Sequence, residues 1–338
     1  ALQYEIDNVS LQIESEDKID NLMFAYQLEE KQDEIEILEQ QAQIEELKSR
    51  RQRGILFTIA AVGILLLLLA GGLYNRFLFI RKTNQQIQAQ KELITDSISY
   101  AQRIQSTLLP SRTGIEEVIP EHFIFFRPKD IVSGDFYWIR EVEDHVIIVV
   151  SDCTGHGVPG AFMSMLGITM LNELIGDQCR EDPSEILDQL RSKVKTMLLQ
   201  KGESEEQKDG MELTLAILDK KTRRLHFAGA NNPLYLIRNN NGAAGPVPEA
   251  HSSMENGEYT LYEIKGDRQP IGVHWEETPF TSHVLSLKEN DSIYLFSDGF
   301  VDQFGGENRK RFKAMNFKKL LLSIQKESMD RQGKIVGE

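Results

Sequence analysis

Cysteine is almost absent: the 338 residues contain Cys153 and Cys179 alone, with no CxxC spacing. That excludes a disulfide framework or a zinc site as the organising principle, and it suits a reducing compartment for the soluble part. Positive charge is scarce too. Lys and Arg number 38 against 52 Asp and Glu, a formal net charge of -14, and the predicted globular part has no basic cluster. Binding a phosphate backbone requires such a cluster, so a nucleic-acid surface is excluded. An initiating Met is missing as well, and the start at Ala1 reads as a fragment whose beginning lies upstream, where a signal peptide cannot be sought.

Charge disappears altogether between Ile55 and Tyr74, a stretch that includes the run from Ile64 to Leu69. As a helix it is long enough to cross a hydrocarbon core of about 30 Å, whereas a buried core helix rarely stays apolar on every side for that length. Basic residues flank both ends, Arg50, Arg51 and Arg53 before it and Arg76, Arg81 and Lys82 after it, so charge does not orient it. Upstream, residues 27–48 are dense in Glu, Gln, Lys, Leu and Ile, with Ile37, Ile44 and Leu47 at near-heptad spacing. That pattern fits a solvated helix leading into the membrane or, if paired, a coiled coil that would make the protein a homodimer.

Proline and glycine are both missing from Thr83 to Leu109, where Ile94, Ile98, Ala101, Ile104 and Leu108 fall on one helical face until Pro110. A continuous helix there can carry a signal from the membrane or serve as a spacer. The expected organisation is therefore a helical end of a sensor region over 1–53, a transmembrane helix over 54–80, a linker helix over 81–110 and a globular domain over 121–338.

In the globular part, β-branched and aromatic runs predict strands at 122–126, 136–140, 146–150, 212–218, 225–228, 234–237 and 292–296. Gly160 to Ile175 has the composition of a buried helix, and Asp182-Pro183 supplies an N-cap and first-turn proline for a second, running to about Gln200. Residues 239–257 read as a long surface loop. Strands first and last with helices between them predict an α+β fold with a mostly antiparallel sheet covered by helices.

The chemistry is signalled by carboxylates at strand ends. Val149-Val150-Ser151-Asp152 and Leu295-Phe296-Ser297-Asp298 each run an apolar strand into an aspartate before a glycine-bearing turn, and Asp135 precedes the aromatic run Phe136-Tyr137-Trp138. Each Asp taken alone fits a turn, which Asp-Gly favours. Repetition of the arrangement points to a hard divalent cation, which prefers oxygen ligands and needs no His or Cys cluster.

The ordered motifs Phe126-Arg127-Pro128-Lys129, Gly134-Asp135-Phe136-Tyr137-Trp138, Ser151-Asp152 through Gly155-His156-Gly157-Val158-Pro159-Gly160, Met211-Glu212-Leu213-Thr214, Phe227 through Pro233, Gln269-Pro270-Ile271-Gly272 and Phe296-Ser297-Asp298-Gly299 resemble those of PPM-type (protein phosphatase 2C-like) metal-dependent serine/threonine phosphatases. The branch they resemble is the bacterial SpoIIE-like one. The resemblance implies an α-β-β-α sandwich of two antiparallel sheets holding two Mn²⁺ or Mg²⁺ ions.

By motif, Asp152 would bridge both ions, Asp135 and the Cys153 backbone carbonyl would serve the second, and Asp298 the first. A water shared by two such ions loses its proton near neutral pH and can attack phosphorus in line, so neither cysteine need be a nucleophile. His156 is the candidate acid for the leaving oxygen, or shapes its turn. Arg127 and Lys129 are candidates for meeting the substrate phosphate, and Asp209, Asp302 and Glu212 are read as surface or turn positions.

The resemblance further implies a membrane-anchored enzyme of the bacterial inner membrane with its catalytic domain in the cytoplasm, acting on a phosphorylated regulator such as an anti-sigma factor antagonist. Such domains close with a further strand carrying a metal-binding aspartate. None follows Lys319 to Ile324 before Glu338, which reads as a second cut end. A non-catalytic partner-binding module is the alternative.

Overall fold

The computed structural model describes residues 2–176, 181–200, 209–240, 247–305 and 309–338, with side chains described from residue 18 onward. Cys179 lies outside the described residues. Contacts divide the chain into two units, residues 1–90 and 91–338.

The first unit is helical, as part of helix α1 (Leu2–Leu108). Its 55–74 stretch sits within a helix long and apolar enough to cross a membrane, in a window of mean hydropathy 2.6 that buries nothing. Exposure of the consecutive Leu65, Leu66, Leu67 and Leu68, which go once round the helix, is the mark of a helix apolar all round.

The second unit begins with the end of α1. Pro110 follows, and Ser111 caps the short α2 (Arg112–Val118) by accepting a hydrogen bond from the Gly114 amide at 3.2 Å. Then come β1 (Phe136–Val142), β2 (His145–Cys153), α3 (Val158–Ile175), α4 (Pro183–Met197), β3 (Met211–Asp219), β4 (Arg224–Ala230), β5 (Leu234–Asn239), β6 (Ser252–Asn256), β7 (Tyr259–Ile264), β8 (His283–Ser286) and β9 (Ser292–Leu295). The turn α5 (Gly299–Asp302), the hairpin β10 (Phe304–Gly305) and β11 (Lys310–Arg311), and helices α6 (Ala314–Ser323) and α7 (Met329–Gly337) close the chain.

Two antiparallel sheets result, with strand orders β1-β2-β3-β4-β8 and β6-β7-β5-β9. Period-two alternation assigns each strand two faces. On β3, Leu213, Leu215 and Ile217 pack with α3 and α4, while Ala216 and Leu218 face the other sheet. On β5, Leu234 and Leu236 meet the first sheet, and Tyr235 and Ile237 pack with Phe317, Leu321 and Val336 of α6 and α7. The layers are therefore α-β-β-α. Helix α3 is also apolar enough to span a membrane by composition, but half of its window is buried in this core.

Three expectations need correction. Residues 122–126 form no strand, because their aromatic side chains are spent on packing: Phe123 lies against Tyr294 and Phe125 against Phe300. The expected 239–257 loop contains β6, whose exposed polar residues pair with β7; residues 241–246 of that segment lie outside the described residues. Strands β7 and β8 and helices α2, α6 and α7 are additional elements.

The Asp182 carboxylate caps α4, accepting from the Ser184 amide at 3.0 Å and hydroxyl at 2.8 Å. Partial burial pushes its pKa up, but the Ser184 and Ser282 hydrogen bonds outweigh this and hold it below the usual value. A depressed carboxyl contributes stability above the ordinary carboxylate range and loses it as pH falls through the folded-state value. Asp182→Ala should thus cost about 1 kcal/mol in urea denaturation at pH 7, and the difference should shrink toward pH 3.

Candidate functional site

β2 is apolar from Val146 to Val150 and buries Ile147, Val149, Ser151 and Cys153 on one face, with Asp152, next to last in the strand, on the other. Its partner β1 starts at Phe136, paired with Ser151, so Asp135 stands at the entrance of the neighbouring strand. Asp298 comes from the other sheet, three residues beyond the end of edge strand β9 and at the head of α5, where its side chain makes no cap hydrogen bond. Ser297 donates its hydroxyl to Asp135 Oδ2 at 2.8 Å and so joins the two sheets at this point.

Asp152 lies within hydrogen-bonding reach of both Asp135 and Asp298, and its pKa is pushed up to about 8, first by burial, then by the Asp135 charge and by Asp298. Three acidic groups are held together although none of them joins an ion pair among the described residues. Nor do any three or more His, Cys, Asp or Glu among the described residues stand as a ready-made ligand set. The two findings are compatible. The fold holds the three carboxylates near one another against their mutual repulsion, without arranging them as a closed ligand set.

The donor set fits hard divalent cations: carboxylate oxygens and a backbone carbonyl, with no nitrogen or sulfur. A Cβ placed on Gly134 would meet the Gly155 carbonyl at 2.8 Å and the Cys153 carbonyl at 3.2 Å, so only glycine leaves that cradle open. The loop after β2 is equally tight. Gly155 and Gly157 have φ of 91° and 65°, and a Cβ on Gly160 would come within 2.5 Å of the Gly155 carbonyl. Thr154 anchors the loop through mutual hydrogen bonds with Gly210. Gly160→Ala must push the Gly155 carbonyl away, and we expect hydrolytic activity to fall by about a hundredfold, the effect of a displacement near 1 Å, with circular dichroism still that of a folded domain.

The other predicted residues are placed as follows. His156 is exposed, with Nδ1 2.9 Å from Asp130 Oδ2, so Asp130 orients it. Arg127 lies over the Phe125 ring, which packs edge-on to Phe300 beside Asp298; Lys129 is exposed. Asp302 pairs with Arg311 across the β10–β11 hairpin, and the Asp209 carbonyl accepts from Gln200 at 2.7 Å.

Glu212 departs from the surface reading. It sits opposite Asp152 in register, accepts from Asn231 Nδ2 at 3.0 Å, and has its pKa raised by burial with a contribution from Asp298. The Cys153 side chain is part of the core under α3, and burial pushes its thiol pKa up, as befits a packing residue. Sequence reasoning gave no role to Ser297 and Asn231, although both lie inside recognised motifs, and did not single out Asp130. Each adjoins a recognised motif residue, but a short polar side chain in a turn carries no signal of its distant partner.

Residues 142–336 match the family model described as Stage II sporulation protein E (SpoIIE). The SiaA-PP2C domain of Pseudomonas aeruginosa is similar at 32% identity and a TM-score of 0.60, over 73% of this chain and 89% of that one. "Phosphoserine phosphatase RsbU" of Bacillus subtilis (strain 168) is 25% identical over 224 residues, 65% of this chain, and the chain spans 57% of its length.

Proposed function

Because this chain belongs to the SpoIIE family and has the PP2C-type phosphatase fold, we propose that it is a metal-dependent protein phosphatase that hydrolyses phosphoserine or phosphothreonine on a regulatory protein. The observation that carries the reading is the convergence of Asp135, Asp152 and Asp298, with Asp152 in reach of the other two at the meeting point of both sheets.

In this reading Asp135, Asp152, Asp298 and the Cys153 carbonyl hold a pair of Mn²⁺ or Mg²⁺ ions. Bound there, the ions supply Lewis acidity and a water acidic enough to ionise near neutral pH. Asp152, at the centre, orients both positions. Arg127 meets the incoming phosphate, and His156, aligned by Asp130, hands a proton to the departing serine or threonine oxygen. Lys129 is assigned a second phosphate contact. The similarity to RsbU, whose name specifies phosphoserine, supports the substrate class.

The apolar part of α1 anchors the protein in the bacterial inner membrane as a single pass, the phosphatase domain is cytoplasmic, and residues 81–110 link the two. The antagonist of an anti-sigma factor is the regulator this reading assigns as substrate, and pairing of the helical segments would make the enzyme a homodimer. The test is phosphate release from a phosphoserine peptide by the full chain in detergent, with Mn²⁺ and with chelator. Mn²⁺-dependent release supports the reading; release unaffected by chelator sinks it.

A further inference from the structure

Helix α1 buries one residue among those whose side chains are described, and it is polar. Gln105 is 5% exposed, in a helix whose neighbouring apolar residues Ile104 and Leu108 are 43% and 37% exposed. Burying a primary amide is costly unless its donors and acceptor are all met. Here they are. Nε2 donates to the Ser133 carbonyl at 2.6 Å and to Ser164 Oγ at 2.7 Å, while Oε1 accepts from the Ser133 amide at 3.1 Å. Ser164, itself fully buried on α3, donates to the Ala161 or Ser133 carbonyl.

Gln105 therefore takes both main-chain groups of Ser133, as a paired strand would, in a segment that belongs to no strand. Two residues on stands Asp135. Between them Gly134 is pressed against the Gly155 and Cys153 carbonyls, and beyond them Ser297 holds Asp135 Oδ2. The segment 133–135 is thus gripped at its start by Gln105, at its middle by the glycine cradle and at its end by Ser297. Loss of the first grip leaves the Ser133 amide without its partner and its carbonyl with the Ser164 hydroxyl alone, at 3.2 Å, and loosens the backbone that aims Asp135.

We propose that Gln105 is a positioning residue of the active site: it sets the Asp135 carboxylate through the Ser133 main chain, and joins the end of α1 to the cation-binding strand end. The inference rests on the proposed assignment of Asp135 as a cation ligand. Gln105→Met keeps length and removes every hydrogen bond; Ser164→Ala removes one; Gln105→Glu retains an acceptor but no donor for the Ser133 carbonyl.

The test uses the full chain in detergent and reads three quantities: amide hydrogen exchange without metal, Mn²⁺ affinity from the electron paramagnetic resonance signal of free Mn²⁺, and phosphopeptide turnover against Mn²⁺ concentration. In Gln105→Met, exchange at Ser133 to Asp135 should accelerate while β2 and β3 stay protected. Mn²⁺ affinity should fall by about tenfold or more, the cost of losing a group that orients a ligand. The Mn²⁺ concentration for half-maximal turnover should rise in parallel, with kcat at saturating Mn²⁺ near that of wild type. Ser164→Ala should fall between, and Gln105→Glu should resemble Gln105→Met.

Unchanged exchange at 133–135, or unchanged Mn²⁺ affinity in a variant of lower melting temperature, overturns the inference and leaves a structural role alone. Turnover missing from wild type contradicts the phosphatase reading separately, because exchange and Mn²⁺ binding are measured without substrate.

Discussion

Asp152→Asn is expected to reduce Mn²⁺-dependent phosphoserine hydrolysis to no more than about a thousandth of wild type, the scale of removing a central electrostatic element from an active site. The same change should stabilise the metal-free protein. Burial and the charges of Asp135 and Asp298 push the Asp152 carboxyl up to about 8 from its ordinary 3.8, so the folded state holds a proton that the unfolded state releases. A carboxyl raised in this way gives stability that is complete below pH 4 and is lost as pH rises toward 8. Metal-free wild type should therefore melt at progressively lower temperature from pH 5 to pH 8, while the Asn variant follows a flatter course and is the more stable of the two near pH 8. Thermal denaturation in chelator checks this. Loss of activity with an equal loss of metal-free stability would mean that Asp152 is a packing residue.

Asp291→Ala should have the largest effect on folding. Arg238 of β5 and Asp291, just before β9, are 6% and 2% exposed in their side chains and meet in a bidentate pair along one guanidinium edge, Nε to Oδ1 at 2.9 Å and Nη2 to Oδ2 at 2.6 Å. Arg238 also donates to the Ser286 carbonyl at the end of β8, and Asp291 accepts from the Lys288 amide. The pair thus ties an edge of the first sheet to the second. Truncating one partner leaves a buried guanidinium uncompensated, at about 3–5 kcal/mol, a fall of about 10 °C in melting temperature for a domain of this size. The double variant Arg238→Met, Asp291→Leu should recover most of that loss, since apolar residues of similar volume replace buried pairs at little cost. A single variant as stable as wild type would contradict the account.

Much of this site can be read from residue order alone, for a physical reason. The interior strand β2 is apolar from Val146 to Val150, so the aspartate next to its end stands out where that run stops. The same contrast marks the apolar run of β9 ahead of Asp298, and the Asp182-Pro183 cap is local enough to read without tertiary knowledge. What could not be read depends on partners far along the chain. β6 is exposed and rich in Ser, Glu and Asn, and becomes a strand only because β7 offers it a ladder. Residues 122–126 have strand composition, but their aromatics are taken up by Tyr294 and Phe300. Gln105 looks like any solvated glutamine on a polar helix, and its role depends on Ser133 and Ser164, 28 and 59 residues away. Glu212 shows its place only through its register with Asp152.

Mn²⁺ titration of the full chain in detergent micelles, followed by the electron paramagnetic resonance of the free ion, is the decisive measurement for a cation pair held by Asp135, Asp152 and Asp298. Wild type should take up a pair of ions near neutral pH, and Asp135→Asn, Asp152→Asn and Asp298→Asn should each weaken uptake, Asp152→Asn the most. Uptake that is undetectable, or that is the same in wild type and a variant lacking all three carboxylates, would contradict that assignment and favour a partner-binding module on a phosphatase fold.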